Sequence, residues 1–384
     1  MKIPFHRPNL PDNLERIFPE SLLSGWLTTG SQVLRFEQEL KKYIGSKYII
    51  AVNSCTAALH LALAAREFGN GDKFIVPTFT FVSTVECGEY VGIQPIFVDC
   101  DKDSFLIDLN QVEDIVKKDK SVKVIIPVHY AGQALELEFL WTLADKYGLF
   151  ILEDAAHALE TSCNNIKVGN TDHAAAFSFY ANKNITTGGE GGALATNNYR
   201  LATKARNLSL HGITKDGWNR FKKNGNWEYD IIELGYKYNL TDYAAAFGLW
   251  QLSYIIDWQS RRAEIVDHYN KALNSIEGIK LPDITDGHSK HLYVIQLLND
   301  RWSITRNQFI EAMNKKGIGL AVHYKPIHRL SYYKRTYKLN DINFPNANSL
   351  FDSVVTLPMY PKLKDKEIDY IANNIIELYE KHSK

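Results

Sequence analysis

"KYIIAVNSCTAALHLALAAREFG" (residues 47–69) joins two patterns that together indicate the fold class. Its first part, residues 47–54, is β-branched and apolar and then becomes polar, which is typical of a buried strand. Its second part, residues 55–69, is rich in Ala and Leu and ends at Gly69, which is typical of a helix. The stretch therefore predicts a strand that is followed directly by a helix.

The same alternation continues along the first half of the chain. Strand-like segments occupy residues 73–79, 94–100, 122–132 and 149–158, and helix-like segments occupy residues 84–92 and 137–148. Continuous apolar strands separated by helices predict a mostly parallel sheet that is covered by helices on both faces. We therefore expect an α/β protein.

The pattern changes near Leu249. One long helix is predicted over residues 249–276, then a strand over 291–298, a helix over 305–317 and a final helix from about Asp365. A chain of 384 residues is long enough for two domains. We expect a large α/β domain at residues 1–248, with an N-terminal substrate and interface segment, and a smaller α+β domain at residues 249–384.

Composition excludes several classes of protein. The chain carries 44 basic and 44 acidic side chains, and this balance argues against a nucleic-acid binder. The four cysteines form no CxxC pair, which favours a reduced, intracellular protein. No segment is typical of a signal peptide or a membrane span. We expect a cytoplasmic protein without a membrane or metal partner.

Polar residues follow two of the predicted strands. "NSCTAA" (53–58) offers hydroxyl and backbone N–H groups at a helix N-terminus, which suits a phosphate or an ordinary helix cap. "EDAAHA" (153–158) puts Asp154 at the end of a central strand, where a carboxylate can hold a protonated ring nitrogen or form a structural salt bridge. His157 can equally be a satisfied core histidine.

"SFYANKNITTGGEGG" (178–192) contains one lysine, Lys183, between an apolar run and a Thr-Gly stretch. A lysine in a weakly polar pocket loses basicity and can act as a nucleophile, whereas a lysine on a surface hairpin is merely solvated. The stretch has neither the GxxxxGK[ST] spacing nor a GxGxxG turn before a helix, so it is not a nucleotide loop.

The three segments "NSCTAA", "EDAAHA" and "SFYANKNITTGGEGG" indicate a function only in combination. Ligands of an open parallel sheet bind at the carboxyl ends of its strands. A phosphate cradle, an acid for a ring nitrogen and a nucleophilic lysine at three such ends describe a site for pyridoxal 5′-phosphate (PLP).

Five motifs, in this order, resemble the PLP-dependent sugar aminotransferases of the DegT/DnrJ/StrS family: "NSCTAALHLAL", "PTFTFVST", "EDAAHA", "SFYANKNITTGGEGG" and "GYKYNLTD". The resemblance extends from "SGWLTTG" (24–30) to "HYKPIH" (323–328). It implies the fold of aspartate aminotransferase (fold type I) and a homodimer with active sites at the subunit interface.

The resemblance also implies the role of each site residue. Lys183 binds the PLP aldehyde as a Schiff base, and Asp154 pairs with the pyridine nitrogen. The other implied cofactor-binding residues are Cys55, Thr56 and Ser178 at the phosphate, Phe81 on the ring, His157 beside the cofactor, and Asn239, which reaches the cofactor phosphate of the other subunit. The implied substrate-binding residues are Trp26, Thr28, Tyr180, Lys237, His323 and Tyr324.

By the same resemblance, the enzyme moves an amino group from L-glutamate to PLP, giving 2-oxoglutarate and pyridoxamine phosphate. It then passes the group to C4 of a nucleoside-diphosphate-linked 4-keto-6-deoxy sugar, for surface glycan (O-antigen or capsule-type) biosynthesis. Amination at C3, sugar dehydration and a non-catalytic PLP-binding protein are alternatives, although Lys183 favours transamination, since dehydratases of the family carry His there. A nicotinamide-dependent oxidoreductase is disfavoured because GxGxxG is missing after the first strand.

Overall fold

The central feature of the computed structural model is a seven-stranded sheet. The structure describes residues 1–13, 17, 23, 25–213 and 229–384. The strands of the described chain are β1 (Tyr48–Val52), β2 (Lys73–Pro77), β3 (Gln94–Val98), β4 (Val122–Ile125), β5 (Phe150–Asp154), β6 (Ser162–Cys163), β7 (Ile166–Lys167), β8 (Ala174–Ser178), β9 (Gly192–Thr196), β10 (Ile279–Lys280), β11 (Tyr293–Leu297) and β12 (Val354–Leu357). The central sheet has the order β1-β9-β8-β5-β4-β2-β3. Within it only β9 runs against its neighbours, β1 and β8, so the prediction of a mostly parallel sheet is confirmed.

Helices cover both faces of this sheet. The α-helices of the described chain are α1 (Ser31–Ile44), α2 (Cys55–Ala64), α3 (Ser83–Tyr90), α4 (Leu109–Lys118), α5 (Leu137–Tyr147), α6 (Tyr199–Leu208), α7 (Asp242–Ser253), α8 (Ile255–Leu273), α9 (Arg306–Lys315), α10 (Ser331–Thr336), α11 (Pro345–Ser353) and α12 (Asp365–His382). One apolar core lies between the sheet and helices α1, α4, α5 and α7, and a second core lies between the other face and helices α2, α3 and α6. Residues of the strands alternate between the two cores, as a doubly covered sheet requires.

The C-terminal part has its own core. Strands β10, β11 and β12 form an antiparallel sheet, and helices α8, α9 and α12 pack their apolar residues with it. Ile3 of the N-terminal segment belongs to the same core and bridges to Ile318. The boundary between domains at residue 249 stays a prediction.

The prediction of one long helix over residues 249–276 is wrong. Helix α7 ends at Ser253 and α8 begins at Ile255, and between them Tyr254 leaves the helical conformation (φ −106°, ψ 5°). The Tyr254 ring packs against Trp250, with 5.2 Å between ring centroids, and stacks on Trp258 at 5.8 Å. The break therefore lies inside an aromatic cluster, where apolar periodicity does not reveal it.

The strand ends meet at one edge of the central sheet. Strands β5 and β8 are parallel neighbours that end at Asp154 and Ser178, and antiparallel β9 begins beside them at Gly192. Strand β1 also ends there, and α2 starts three residues later. The polar segments that follow these strands in the sequence therefore lie together at this edge. In the described chain, no helix is both long and apolar enough to cross a membrane.

Candidate active site

A cavity of about 510 Å³ lies at this edge of the sheet. Ten of the residues that the sequence predicts for the site line it: Cys55, Thr56, Phe81, Asp154, His157, Ser178, Tyr180, Lys183, His323 and Tyr324. These residues come from five separate stretches of the chain, and the sheet topology brings them together.

Lys183 lies in the loop between β8 and β9 and is half-buried in the cavity wall. Burial lowers the pKa of its ammonium group to about 8, because removing the charge from water is costly, while Asp154 opposes this shift. Lys183 can therefore lose its proton near neutral pH, which a nucleophilic amine requires.

Asp154 ends β5 and is almost completely buried. Its Oδ2 accepts a hydrogen bond from the Thr84 hydroxyl at 2.7 Å, and its Oδ1 accepts one from the Ala156 N–H at 3.1 Å. Burial raises the pKa of the carboxyl group, and these two hydrogen bonds and the nearby Lys183 oppose the rise. Both hydrogen-bond donors are neutral, so the carboxylate suits a ligand that brings a protonated ring nitrogen.

The N-terminus of α2 forms another part of the cavity wall. The Ser54 hydroxyl oxygen caps this helix by accepting a hydrogen bond from the Ala57 N–H at 3.1 Å. The Cys55 thiol donates to the Ala176 carbonyl at 3.4 Å, and burial raises its pKa well above the ordinary value. Because the thiol is occupied and neutral, this helix end offers an anion the backbone N–H groups of Cys55 and Thr56 and the Thr56 hydroxyl.

Close packing holds this helix end in place. A Cβ atom on Gly192 would lie 2.4 Å from the Ser54 carbonyl carbon and 2.6 Å from the Cys55 nitrogen. Strand β9 therefore passes directly behind the turn that opens α2, and only glycine fits there. Ser178, at the end of β8, adds a hydroxyl group to the same side of the cavity.

A group of aromatic and histidine side chains forms a further part of the cavity wall. Tyr324 and His157 stack with an interplanar angle of 14°, and the Tyr324 hydroxyl lies 2.9 Å from His157 Nε2. His323 Nδ1 lies 2.8 Å from the Thr356 hydroxyl, and burial lowers the pKa of this imidazole to about 4. The exposed ring of Phe81 lies 6.0 Å from Tyr324, between ring centroids.

Four predicted residues do not line this cavity: Trp26, Thr28, Lys237 and Asn239. Asn239 donates from its amide to the Thr29 hydroxyl at 2.8 Å and accepts from Lys237 Nζ at 2.7 Å. The buried Asp242 joins the same two segments, since its Oδ1 accepts from the N–H groups of Gly30 and Val33 at 2.7 and 3.0 Å. We call the segments 25–30 and 237–242 the second cluster. Its part in the site stays a prediction.

Sequence reasoning missed several residues of the cavity: Ser54, Thr80, Ser83, Val128, Ala156, Asn182 and Gly191. It also left Glu190, which lines the cavity, without a role. Thr84 was missed as well; it donates to Asp154 and lies 2.8 Å from the Thr80 hydroxyl, so the two threonines extend the hydrogen-bond chain away from the carboxylate. A signal for Thr84 existed in "PTFTFVST" (77–84), the hydroxyl-rich stretch that begins at the end of β2 and closes with this threonine.

These residues fit PLP on the chemistry of their donors. The amine of Lys183 suits the aldehyde, the buried Asp154 suits the pyridine nitrogen, and the N-terminus of α2 suits the phosphate. The described residues contain no group of three or more His, Cys, Asp or Glu side chains that could hold a metal ion. Fold and site together define a fold type I PLP-dependent aminotransferase.

The comparison with known families identifies the particular group. Residues 11–376 match the DegT/DnrJ/EryC1/StrS aminotransferase family, and the chain belongs to this family. It is 39% identical over 379 residues to SpsC of Bacillus subtilis, a spore coat polysaccharide biosynthesis protein, with 98% of this chain and 97% of SpsC covered.

Two solved structures are similar over nearly their whole length. Spr1654 of Streptococcus pneumoniae, assigned as a sugar aminotransferase and described in its PMP form, has a TM-score of 0.91 and 33% identity, with 99% of this chain and 100% of that chain covered. PseC of Helicobacter pylori, an aminotransferase involved in the biosynthesis of pseudoaminic acid, has a TM-score of 0.90 and 28% identity, with 99% and 100% covered. The predicted family, fold and PLP dependence are confirmed, and the protein is a PLP-dependent sugar aminotransferase.

Proposed function

We propose that this enzyme transfers the amino group of L-glutamate to C4 of a nucleoside-diphosphate-linked 4-keto-6-deoxy sugar for surface glycan biosynthesis. The observation that carries the proposal is the single cavity that contains Lys183, Asp154 and the N-terminus of α2. The description of SpsC as a polysaccharide biosynthesis protein supports a glycan product. The variant "SFYANKNITTGGEGG" supports C4, because it is similar to family members that act at this carbon.

The mechanism follows from the chemistry of the cavity. When bound, PLP supplies a ring that withdraws electrons from the α-carbon of the amino acid. Asp154 holds a proton at the pyridine nitrogen, because a buried carboxylate favours the protonated form of a neighbouring base. Lys183 Nζ would remove the proton from the α-carbon of glutamate and, in the second half of the reaction, deliver a proton to the keto carbon of the sugar, which its lowered pKa of about 8 permits. The N–H groups at the start of α2 and the Ser178 hydroxyl orient the phosphate.

The second cluster supports a homodimer with shared sites. Asn239 does not line the cavity of its own chain, and Lys237 and Thr29 hold its amide. The side chains of Leu27, Leu234 and Tyr243 in and beside this cluster are exposed. Exposed apolar side chains around a structured polar group are typical of a subunit interface. In the proposed dimer, Asn239 reaches the cofactor phosphate of the partner subunit.

The test is product analysis with isotope-labelled donor. The purified enzyme is incubated with PLP, ¹⁵N-glutamate and dTDP-, UDP- or GDP-linked 4-keto-6-deoxy sugars, and products are identified by mass spectrometry and NMR. We expect a 4-amino sugar that carries ¹⁵N, together with 2-oxoglutarate. The variant Lys183→Ala should form neither. A product that carries ¹⁵N at C3, or a deoxygenated sugar without nitrogen, would contradict the proposal.

A further inference from the structure

The buried His157 and the partly buried Tyr324 form a hydrogen-bond relay with a defined direction. His157 Nδ1 lies 3.2 Å from the backbone N–H of Ala131, in the tight turn after β4. A backbone N–H can only donate, so Nδ1 is the acceptor and carries no proton. His157 Nε2, on the other side of the ring, lies 2.9 Å from the Tyr324 hydroxyl oxygen.

The imidazole of His157 is neutral. Burial, together with the positive charge of Lys183, keeps the pKa of His157 well below its usual value. A neutral imidazole has one proton, and because Nδ1 accepts from Ala131, this proton is on Nε2. His157 therefore donates to the hydroxyl oxygen of Tyr324.

The neighbouring side chains hold the relay in this orientation. The ring of His291 lies 4.5 Å from His157, between ring centroids, and its Nδ1 donates to the Asn184 amide oxygen at 2.9 Å. The amide nitrogen of Asn184 is occupied in turn by Glu160 and by the Ser289 carbonyl. This network fixes the Asn184 amide, so His291 has its own acceptor and does not compete for the Tyr324 hydroxyl.

Because Tyr324 accepts a hydrogen bond from His157, it does not donate its own hydroxyl proton to this histidine. Burial raises the pKa of Tyr324 above its ordinary value, so the hydroxyl keeps its proton. The oxygen accepts from His157, and within the described ranges no second side chain or carbonyl pairs with this hydroxyl. Tyr324 lines the cavity beside Lys183 and Asp154. The Tyr324 proton is therefore available to a molecule that binds in the cavity.

We propose that Tyr324 donates a hydrogen bond to an oxygen of the molecule bound in the cavity, and that the relay from Ala131 through His157 sets this direction. The identity of that molecule rests on the proposed function: the acceptor is the 3-hydroxyl oxygen on the pyridine ring of PLP or the keto oxygen of the sugar. Tyr324 contacts the bound molecule, and His157 acts as a positioning residue.

The relay itself is tested in the cofactor-free protein by ¹⁵N NMR of labelled histidine. We expect His157 to show an unprotonated Nδ1 and a protonated Nε2, with its signals assigned by their loss in His157→Gln. A protonated Nδ1, or a doubly protonated ring at neutral pH, would overturn the inference. This measurement needs neither cofactor nor substrate, so it stands even if the enzyme lacks the proposed sugar activity.

The acceptor is identified with Tyr324→Phe in the loaded enzyme. If the acceptor is the PLP oxygen, the visible absorption band shifts and the dissociation constant of PLP rises about tenfold. If the acceptor is the sugar oxygen, the band is unchanged, the glutamate half-reaction is unchanged, and kcat/KM for the keto sugar falls about tenfold. A folded Tyr324→Phe enzyme with neither change would overturn the inference.

Two further variants separate positioning from general packing. His157→Leu should alter the same parameter as Tyr324→Phe and add little in the double variant, because both changes remove one relay. Fully additive effects would contradict the relay. Tyr293→Phe is the matched control: it deletes a buried hydroxyl that donates to Asn270 at 2.6 Å in the C-terminal sheet, and it should leave the spectrum and kinetics unchanged.

Discussion

At the scale of the residue, the environment of Lys183 decides the chemistry. An ordinary lysine, with a pKa near ~10.4, leaves roughly one amine in 2,500 neutral at pH 7. With the pKa of about 8 that burial gives Lys183, about one in ten is neutral. The lowered pKa therefore raises the reactive fraction by about two orders of magnitude without any specific base.

This leads to a prediction for PLP capture. The neutral amine of Lys183 forms as pH rises through about 8, so the rate at which cofactor-free enzyme reacts with PLP should rise with pH and level off above about 8. Stopped-flow absorbance measures the rate, and borohydride trapping with peptide mapping verifies attachment to Lys183. A small lysine derivative provides the comparison, since its rate should keep rising to about pH 10. A protein rate that also rises to pH 10 would contradict the lowered pKa.

The sequence predicted the residues of the cavity better than their hydrogen bonds. Lys183 and Asp154 stand out because lysine and aspartate are unexpected after apolar strands. Thr84 does not stand out, since its hydrogen bond reaches a residue 70 positions away in the sequence. The tautomer of His157 depends on the backbone of Ala131, which no sequence pattern encodes.

At the scale of the element, strand β9 supports the helix end that is proposed to hold the phosphate. Gly192 pairs with Val52 of β1 and with Ser178 of β8, while its α-carbon lies against the turn at Ser54 and Cys55. Gly192 is the last residue of "GGEGG" (188–192), a run whose glycines allow close approach of the backbone. The contact of Gly192 with the start of α2 gives one such glycine a definite neighbour.

Gly192→Ala should therefore damage the phosphate site. The added Cβ would meet backbone atoms at 2.4 to 2.6 Å, so the start of α2 must move and its N–H groups lose their alignment. We expect PLP affinity to fall at least tenfold and the free energy of unfolding to fall by about 1–3 kcal/mol, measured by absorbance titration and urea unfolding. Gly69→Ala is the control, because a Cβ there meets nothing within 4 Å. Equal PLP affinities of the two variants would contradict this role.

At the scale of the whole molecule, the sequence predicted the sheet, but it did not predict every helix break or every contact between distant segments. The parallel strands were predictable because each is a continuous apolar run next to a helix. The break at Tyr254 was not, since the apolar pattern continues through it. Asp242 ties residues 25–30 to the start of α7 across more than 200 positions, and sequence patterns do not reveal such a contact.

The second cluster yields the last prediction, which concerns two copies of the chain. Lys183 lines the cavity of its own chain and Asn239 does not, so in the proposed dimer each site takes its lysine from one subunit and its asparagine from the other. Lys183→Ala removes the nucleophile, and Asn239→Asp sets a carboxylate beside the phosphate, where like charges repel. We expect each variant alone to be nearly inactive.

Mixing the two variants under conditions of subunit exchange should restore activity. In a mixed dimer, one site has lost both residues, but the other site has Lys183 from one subunit and Asn239 from its partner. Random exchange of equal amounts makes half of the dimers mixed, so roughly a quarter of wild-type activity should return. Exchange is followed with differently tagged subunits, and melting temperatures establish that both variants fold. Proven exchange without recovered activity would mean that Asn239 does not complete the site of the partner subunit.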